Sequence, residues 1–274
     1  MIKKGLITVI ILVAVLVGGF LVLRRYWPAW RAPYLSPPKD ITKYLPDDSI
    51  PSGAANETNL PLKLPSGFNI SIFAKNLPGA RVMKFDRFGN IWVSRTNQGR
   101  VSLLEVEKGK VARQSDIFQD LQKPHGLAFD PKDMTTLYIA EENRVRRFAT
   151  YSEDLGTEVL KLPAGAGHFT RTLGFGPDGQ LYVSVGSSCN VCVEKDERRA
   201  AVIRYDPESK TNKNFAKGLR NAVFFTWDTL GRMWATEMGR DWLGDNLPPD
   251  EVNIIAEDGN YGWPICYGKN IHDD

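Results

Sequence analysis

Two short segments carry side chains suited to proton transfer and charge stabilisation. Gly165-Ala166-Gly167-His168-Phe169-Thr170-Arg171 sets a histidine among glycines. A neutral imidazole near its ordinary pKa is an effective general base at neutral pH, and flanking glycines let a ligand approach the backbone closely. The same surroundings also suit a turn histidine bonded to a neighbouring carbonyl. Gly218-Leu219-Arg220-Asn221 offers a guanidinium fork matched to carboxylates and oxyanions, with Asn221 adding a donor and an acceptor beside it. A salt bridge between neighbouring elements, to Asp178 or Asp228, is the other use such an arginine has. The acidic, turn-rich run from Arg240 to Glu251 holds the carboxylates and loop carbonyls that Ca²⁺ prefers, although solvation alone also accounts for acidic loops. Cys189-Asn190-Val191-Cys192 is a lone cysteine pair. Zinc would need two further ligands, and only Cys266 and His272 are spare; a thioredoxin-like use would need a βαβ setting. In an exported domain the pair forms a loop disulfide.

The elements that must position these residues declare themselves by repetition. Phe85-Asp86-Arg87-Phe88-Gly89-Asn90-Ile91-Trp92-Val93-Ser94 returns as Phe129-Asp130-Pro131 with Leu137-Tyr138-Ile139-Ala140. It returns again as Phe175-Gly176-Pro177-Asp178-Gly179-Gln180-Leu181-Tyr182-Val183-Ser184, and as Trp227-Asp228-Thr229-Leu230-Gly231-Arg232-Met233-Trp234-Ala235-Thr236. Each copy is a strand, a tight Asp/Gly turn and a second strand of alternating character. Their first aromatics lie 44, 46 and 52 residues apart, the size of a propeller blade. The reading is therefore an all-β β-propeller. Within that register His168 lies seven residues before Phe175 and Arg220 seven before Trp227, while Gln122 lies seven before Phe129. Polar residues from at least three blades thus converge on one face, which marks a ligand site.

Composition agrees with a single large β domain. Of 274 residues 42% are hydrophobic and 24% charged, with abundant aromatics that suit sheets. The formal charge of +3 comes from five basic residues among the first 31, where no acid occurs. The remainder has no basic stripe of the kind nucleic-acid binding needs. Gly5 to Leu23 is an uncharged run of 19 residues, and such a helix spans about 28 Å, enough to cross a hydrocarbon core. Tyr26, Trp27 and Trp30 follow as an interfacial belt would. A cleaved signal peptide is the alternative, but no convincing small-x-small site follows Leu23. We expect a membrane anchor over 1–25 (span about 5–23), a Pro-rich linker over 26–66 and the propeller over 67–274. The sequence reaches Asp274 without a strand that would close a ring, so about four blades are expected to be present.

The motifs together resemble the soluble glucose/sorbosone dehydrogenase family that uses pyrroloquinoline quinone (PQQ). The resemblance rests on His168-Phe169-Thr170-Arg171, Gly186-Ser187-Ser188-Cys189-Asn190-Val191-Cys192, Gly218-Leu219-Arg220-Asn221-Ala222, Arg240-Asp241-Trp242-Leu243-Gly244-Asp245, Pro249-Asp250-Glu251 and Asn260-Tyr261-Gly262-Trp263-Pro264. It covers about 67–274, and the sorbosone dehydrogenase branch is nearest. It implies a six-bladed propeller of which this chain holds the first four blades. It also implies that His168 takes the proton of a sugar hydroxyl while hydride passes to the quinone. Arg220 and Asn221 match residues contacting the cofactor where negative charge develops, and Gln122 matches a cofactor-contacting glutamine. Gly239 and Arg240 fall where backbone carbonyls hold the Ca²⁺ that binds PQQ. Two departures put glucose itself in doubt as the substrate: Gly167 stands where the glucose enzyme has an acid, and Arg240 where it has a proline. The function so implied is an exported, membrane-anchored, PQQ- and Ca²⁺-dependent dehydrogenase of a sugar, sugar aldehyde or polyol, with the propeller on the extracytoplasmic (periplasmic) side. A quinone or cytochrome would accept the electrons. A metal-dependent lactonase-like propeller and a non-catalytic binding platform are the competing readings.

Overall fold

The computed structural model describes residues 56–58, 60–152 and 155–273. The expected anchor and most of the expected linker lie outside the described residues. Among the described residues no helix is long and apolar enough to cross a membrane.

The four repeated phrases become the inner hairpins of four antiparallel sheets. The first blade runs β1 (Ala80–Phe85), β2 (Ile91–Arg95), β3 (Arg100–Glu107) and β4 (Lys110–Phe118). The second runs β5 (Leu127–Phe129), β6 (Thr136–Ala140), β7 (Arg144–Ala149) and β8 (Thr157–Lys161). The third runs β9 (Leu173–Phe175), β10 (Leu181–Val185), β11 (Ala201–Asp206) and β12 (Thr211–Lys217). The fourth comprises β13 (Phe224–Trp227), β14 (Met233–Glu237) and β15 (Glu251–Ile255). A short strand beyond it, β16 (Gly259–Asn260), returns to the third blade and pairs in parallel with β12. A two-strand ladder, β17 (Cys266–Tyr267) with β18 (Ile271–His272), follows.

The repeat holds residue by residue. The aromatic that opens each phrase closes the first strand and faces the start of the second: Phe85 opposite Ile91, Phe129 opposite Leu137 (the second residue of β6), Phe175 opposite Leu181, Trp227 opposite Met233. The turn aspartate has its own task. Asp86 accepts from the Trp92 indole at 3.1 Å, Asp178 from the Tyr182 hydroxyl at 2.9 Å, and Asp228 from the Trp234 indole at 2.8 Å. Asp178 and Asp228 are therefore committed to their hairpins. Arg220, expected to pair with one of them if it were a salt bridge, finds Asp241 instead.

The second strands of the first three blades are buried on both faces, as sandwiched blades require, whereas β14 buries Met233, Ala235 and Glu237 and leaves Thr236 exposed on its other face. Successive side chains point to opposite faces, and β10 divides accordingly. Leu181, Val183 and Val185 pack with Ala128, Tyr138 and Leu160 of the second blade, while Tyr182 packs with Met233 and Ala235 of the fourth. Trp92, Phe118, Phe129 and Phe148 join the first and second blades in the same way. The core is thus a series of inter-blade layers.

Asp86 is the most heavily bonded of the turn aspartates. Besides Trp92 it accepts from the backbone N–H of Phe88 and Asn90 and from the Tyr151 hydroxyl of the second blade. Burial would raise its pKa, but hydrogen bonds from Tyr151 and Trp92 and from the turn backbone hold it below the usual carboxylate value. Asp86→Ala leaves a buried indole N–H unpaired, and we expect a loss of about 2 kcal/mol or more in urea unfolding. A loss under about 0.5 kcal/mol would show that this bond is dispensable.

Candidate functional site

His168 sits in the loop between β8 and β9, and two buried guanidiniums shape that loop. Arg171, fully buried, donates to the carbonyls of Pro163 (2.7 Å), His168 (2.8 Å) and Thr170 (2.8 Å), and to that of Glu142 in the second blade (3.2 Å). Arg199, also buried, donates to the Ala166 carbonyl at 2.9 Å. Gly167 is in the left-handed region at φ +65°, and a Cβ there would lie 2.3 Å from the Ser187 carbonyl oxygen. No acid fits where this chain has Gly167, which gives a steric reason for that departure from the glucose enzyme.

Ser187, at the end of the third blade's inner hairpin, joins His168 to Arg220. Its carbonyl accepts from the His168 N–H at 2.9 Å, and its N–H donates to the Arg220 carbonyl at 2.7 Å. One residue earlier, a Cβ on Gly186 would stand 2.6 Å from His168 Cβ and 2.7 Å from Asn221 Oδ1. His168 and Asn221 therefore meet across a residue that must lack a side chain. Asn221 is itself buried; its N–H donates to Glu237 Oε1 at 3.1 Å.

Arg220 has every N–H engaged. Nε and Nη2 donate to the carbonyl and Oδ1 of Asn190 (3.0 and 2.8 Å), Nη1 to the carbonyls of Gly239 (2.7 Å) and Met238 (3.4 Å), and Nη2 also to Asp241 (3.0 Å). Asn190 is presented by a loop that the Cys189–Cys192 disulfide closes, the bridge expected of an exported domain. Cys266 remains a free thiol.

These charges act on the imidazole of His168, which is half-buried and has no hydrogen bond to its ring among the described residues. Burial lowers its pKa first and the Arg220 guanidinium next; Asp241 opposes them, and Arg171 and Arg199 add to the lowering. The ring is consequently neutral at pH 7, the form a base requires.

The remaining expected residues divide. Gln122 occupies the matching step of the second blade, with its N–H on Glu141 Oε2 at 2.6 Å and its carbonyl accepting from Glu142, but its side chain is exposed. It makes no hydrogen bond to His168, Arg220 or Asn221 among the described residues. Gly239 offers a carbonyl already bonded to Arg220, and the Arg240 guanidinium pairs with Asp273. Beside them lies a cavity of about 30 Å³ lined by Glu237, Glu251, Arg220, Gly239, Arg240 and Asp273. Glu237 is buried and its Oε2 has no partner; burial above all, with the Glu251 charge adding to it, pushes its pKa up to about 8. Arg240 Nε is likewise unpartnered there. The orphan carboxylate oxygen is a donor that a hard cation takes, while the Arg220 and Arg240 guanidiniums sharing the lining oppose positive charge; the space suits one ion or one water.

Sequence reasoning passed over Glu237, Arg171 and Arg199. Glu237 had a signal: the residue just after each repeated phrase is Arg95, Glu141, Val185 or Glu237, and the three charged ones are all buried.

Residues 62–271 match the TrAA12-like family. The chain belongs to the TrAA12-like family. An uncharacterized protein of Borreliella burgdorferi is 28% identical over 239 residues, covering 79% of this chain and 60% of the relative. The holo PQQ domain of pyranose dehydrogenase from Coprinopsis cinerea superposes with a TM-score of 0.68 at 21% identity, over 79% of this chain and 61% of that one. PQQ-bound aldose sugar dehydrogenase of Streptomyces coelicolor gives 0.61 at 21% identity, over 74% and 69%. This TrAA12-like chain thus has the fold of PQQ-binding sugar dehydrogenase domains and spans about three fifths of the length of the first relatives it matches.

Two outcomes follow from the geometry. Gly186→Ala should push His168 and Asn221 apart, altering the His168 imidazole resonances and lowering the melting temperature by a few degrees; unchanged resonances would contradict the close approach. His125 is fully buried, with Nδ1 against the Arg171 carbonyl at 3.2 Å and Nε2 accepting from Arg81 at 3.4 Å. Burial, with the Arg81 and Arg171 charges adding to it and only the Arg171 carbonyl opposing, pushes its pKa down from 6.5 to about 4. Between those values the unfolded chain binds a proton that the native state does not, so native stability should fall as pH drops from 6.5 to about 4. The contribution is at most about 3 kcal/mol. His125→Gln should flatten that limb in denaturant titrations at stepped pH; an equally steep limb would assign it to other groups.

Proposed function

We propose that this TrAA12-like protein oxidises a sugar, sugar aldehyde or polyol, with PQQ as its resident oxidant and Ca²⁺ as its metal. The observation that carries the reading is the meeting of His168 and Asn221 across Gly186, one backbone step from a buried guanidinium. PQQ, when bound, would supply the acceptor for the hydride of the substrate's C–H bond. The chain's own residues supply the rest. His168, neutral at pH 7, takes the hydroxyl proton at a ring nitrogen. The guanidiniums of Arg171, Arg199 and Arg220 around it favour an acidic cofactor and an oxyanion. Arg220, Asn221 and Gln122 would hold that cofactor. The carbonyls of Gly239 and Arg240, with the free Oε2 of Glu237, would hold the cation.

The anchor over 5–23, the extracytoplasmic location and a quinone or cytochrome acceptor belong to the same proposal. The uncharged run, the aromatic belt and a disulfide suited to an oxidising compartment support them.

The test is dye reduction with a panel of aldoses, sugar aldehydes and polyols, with PQQ and Ca²⁺ added. His168→Ala should lower the rate about 100-fold or more, with melting temperature and PQQ affinity retained. The acid limb of the wild-type rate should lie below pH 6.5, the unperturbed histidine value that the fold lowers. Absence of PQQ-dependent reduction with every substrate would sink the reading, and lactone hydrolysis without PQQ would replace it with the hydrolase.

A further inference from the structure

The guanidinium of Arg220 is only 4% exposed, and its five N–H groups are all taken. Four of the five acceptors are fixed parts of the fold: two backbone carbonyls of the β14–β15 connection, and the carbonyl and Oδ1 of Asn190 inside the disulfide-closed loop. The fifth is different. The Asp241 carboxylate is 65% exposed, and its ion pair with Arg220 is not the loop's only tether. The loop is also held by the Asp241 backbone, whose N–H donates to Asn190 Oδ1 at 2.8 Å and whose carbonyl accepts from Asn190 Nδ2 at 3.2 Å.

We propose that Asp241 is a displaceable gate on Arg220: an anionic ligand, carboxylate or oxyanion, reaches the guanidinium by exchanging with the Asp241 carboxylate at Nη2. The inference rests on reading Arg220 as an anion-binding group of the proposed site. Exchange of one carboxylate for another anion keeps the buried charge compensated throughout, whereas a neutral ligand would leave it unpaired. The leaving partner is a solvent-facing carboxylate that water rehydrates as it departs, while the incoming anion takes over its charge, so the exchange costs little. Asp241 thereby selects for ligands that carry negative charge at this point.

Calorimetric titration of the full chain with oxalate, and separately with PQQ, tests the gate in wild type and in Asp241→Asn. The side-chain Nε resonance of Arg220 is followed alongside to report where the anion sits. The substitution keeps shape and backbone bonds on an exposed loop, and a cooperative melt, at a lowered temperature because the buried guanidinium loses its carboxylate, checks the fold. Expected is oxalate binding tighter by about 2- to 5-fold in Asp241→Asn, the size of one weak ion pair removed from competition, with the Arg220 resonance shifting on saturation. Equal, weaker or undetectable oxalate binding in the variant overturns the proposal. Tighter binding that leaves the Arg220 resonance unmoved overturns it too. Tighter oxalate binding at Arg220 with no PQQ binding in either protein upholds the gate and removes the PQQ reading.

Discussion

A buried guanidinium carries five N–H groups and a charge, and leaving any of them without an oxygen is costly. Much of this molecule's chemistry-bearing face is organised by that constraint. Arg171 and Arg220 each collect several loop oxygens, and Arg199 adds one more, so the segments linking the blades take the paths that bring those oxygens together. Local sequence does not favour these loop conformations by propensity. The loops are rich in glycine and short polar residues, and the arginines give them one shape.

The same arrangement sets the electrostatics. Burial first, and then the positive charge buried beside it, keep the half-buried His168 imidazole neutral, and a ring kept neutral near pH 7 can accept a proton. On the far side of Asn221, Glu237 shows the opposite case. It is an acid shut away from water beside a second carboxylate, and so it prefers its proton. Between base and acid stands one asparagine, whose N–H is bonded to the acid and whose Oδ1 borders, with His168 Cβ, the space over Gly186.

The blades were legible in the sequence because their inner hairpins repeat one phrase whose aspartate, glycine and aromatic each have a fixed geometric use. Register followed from it, and so did the proximity of His168 to Arg220. What the sequence could not show was partnership across blades. Arg220 was weighed against Asp178 and Asp228, both of which bind aromatic side chains of their own hairpins, while its actual partner Asp241 lay in a run read for metal. Arg171 stood within a quoted motif, yet its role depends on carbonyls of Pro163 and Glu142, which no side-chain pattern encodes. Glu237 had no assigned role in the sequence, because its distinction, removal from water, comes from packing in the fold.

The short strand β16 links in parallel to β12, so chain that has already passed through the fourth blade is stitched back onto the third. Blades that touch only their neighbours can peel away one at a time, each separation governed by one interface. Here the third and fourth blades share a seam as well as a layer, and to detach the fourth the seam must tear first. The two should therefore open as one cooperative unit, and the loops bearing His168 and Arg220, one from each, inherit that shared resistance to local opening.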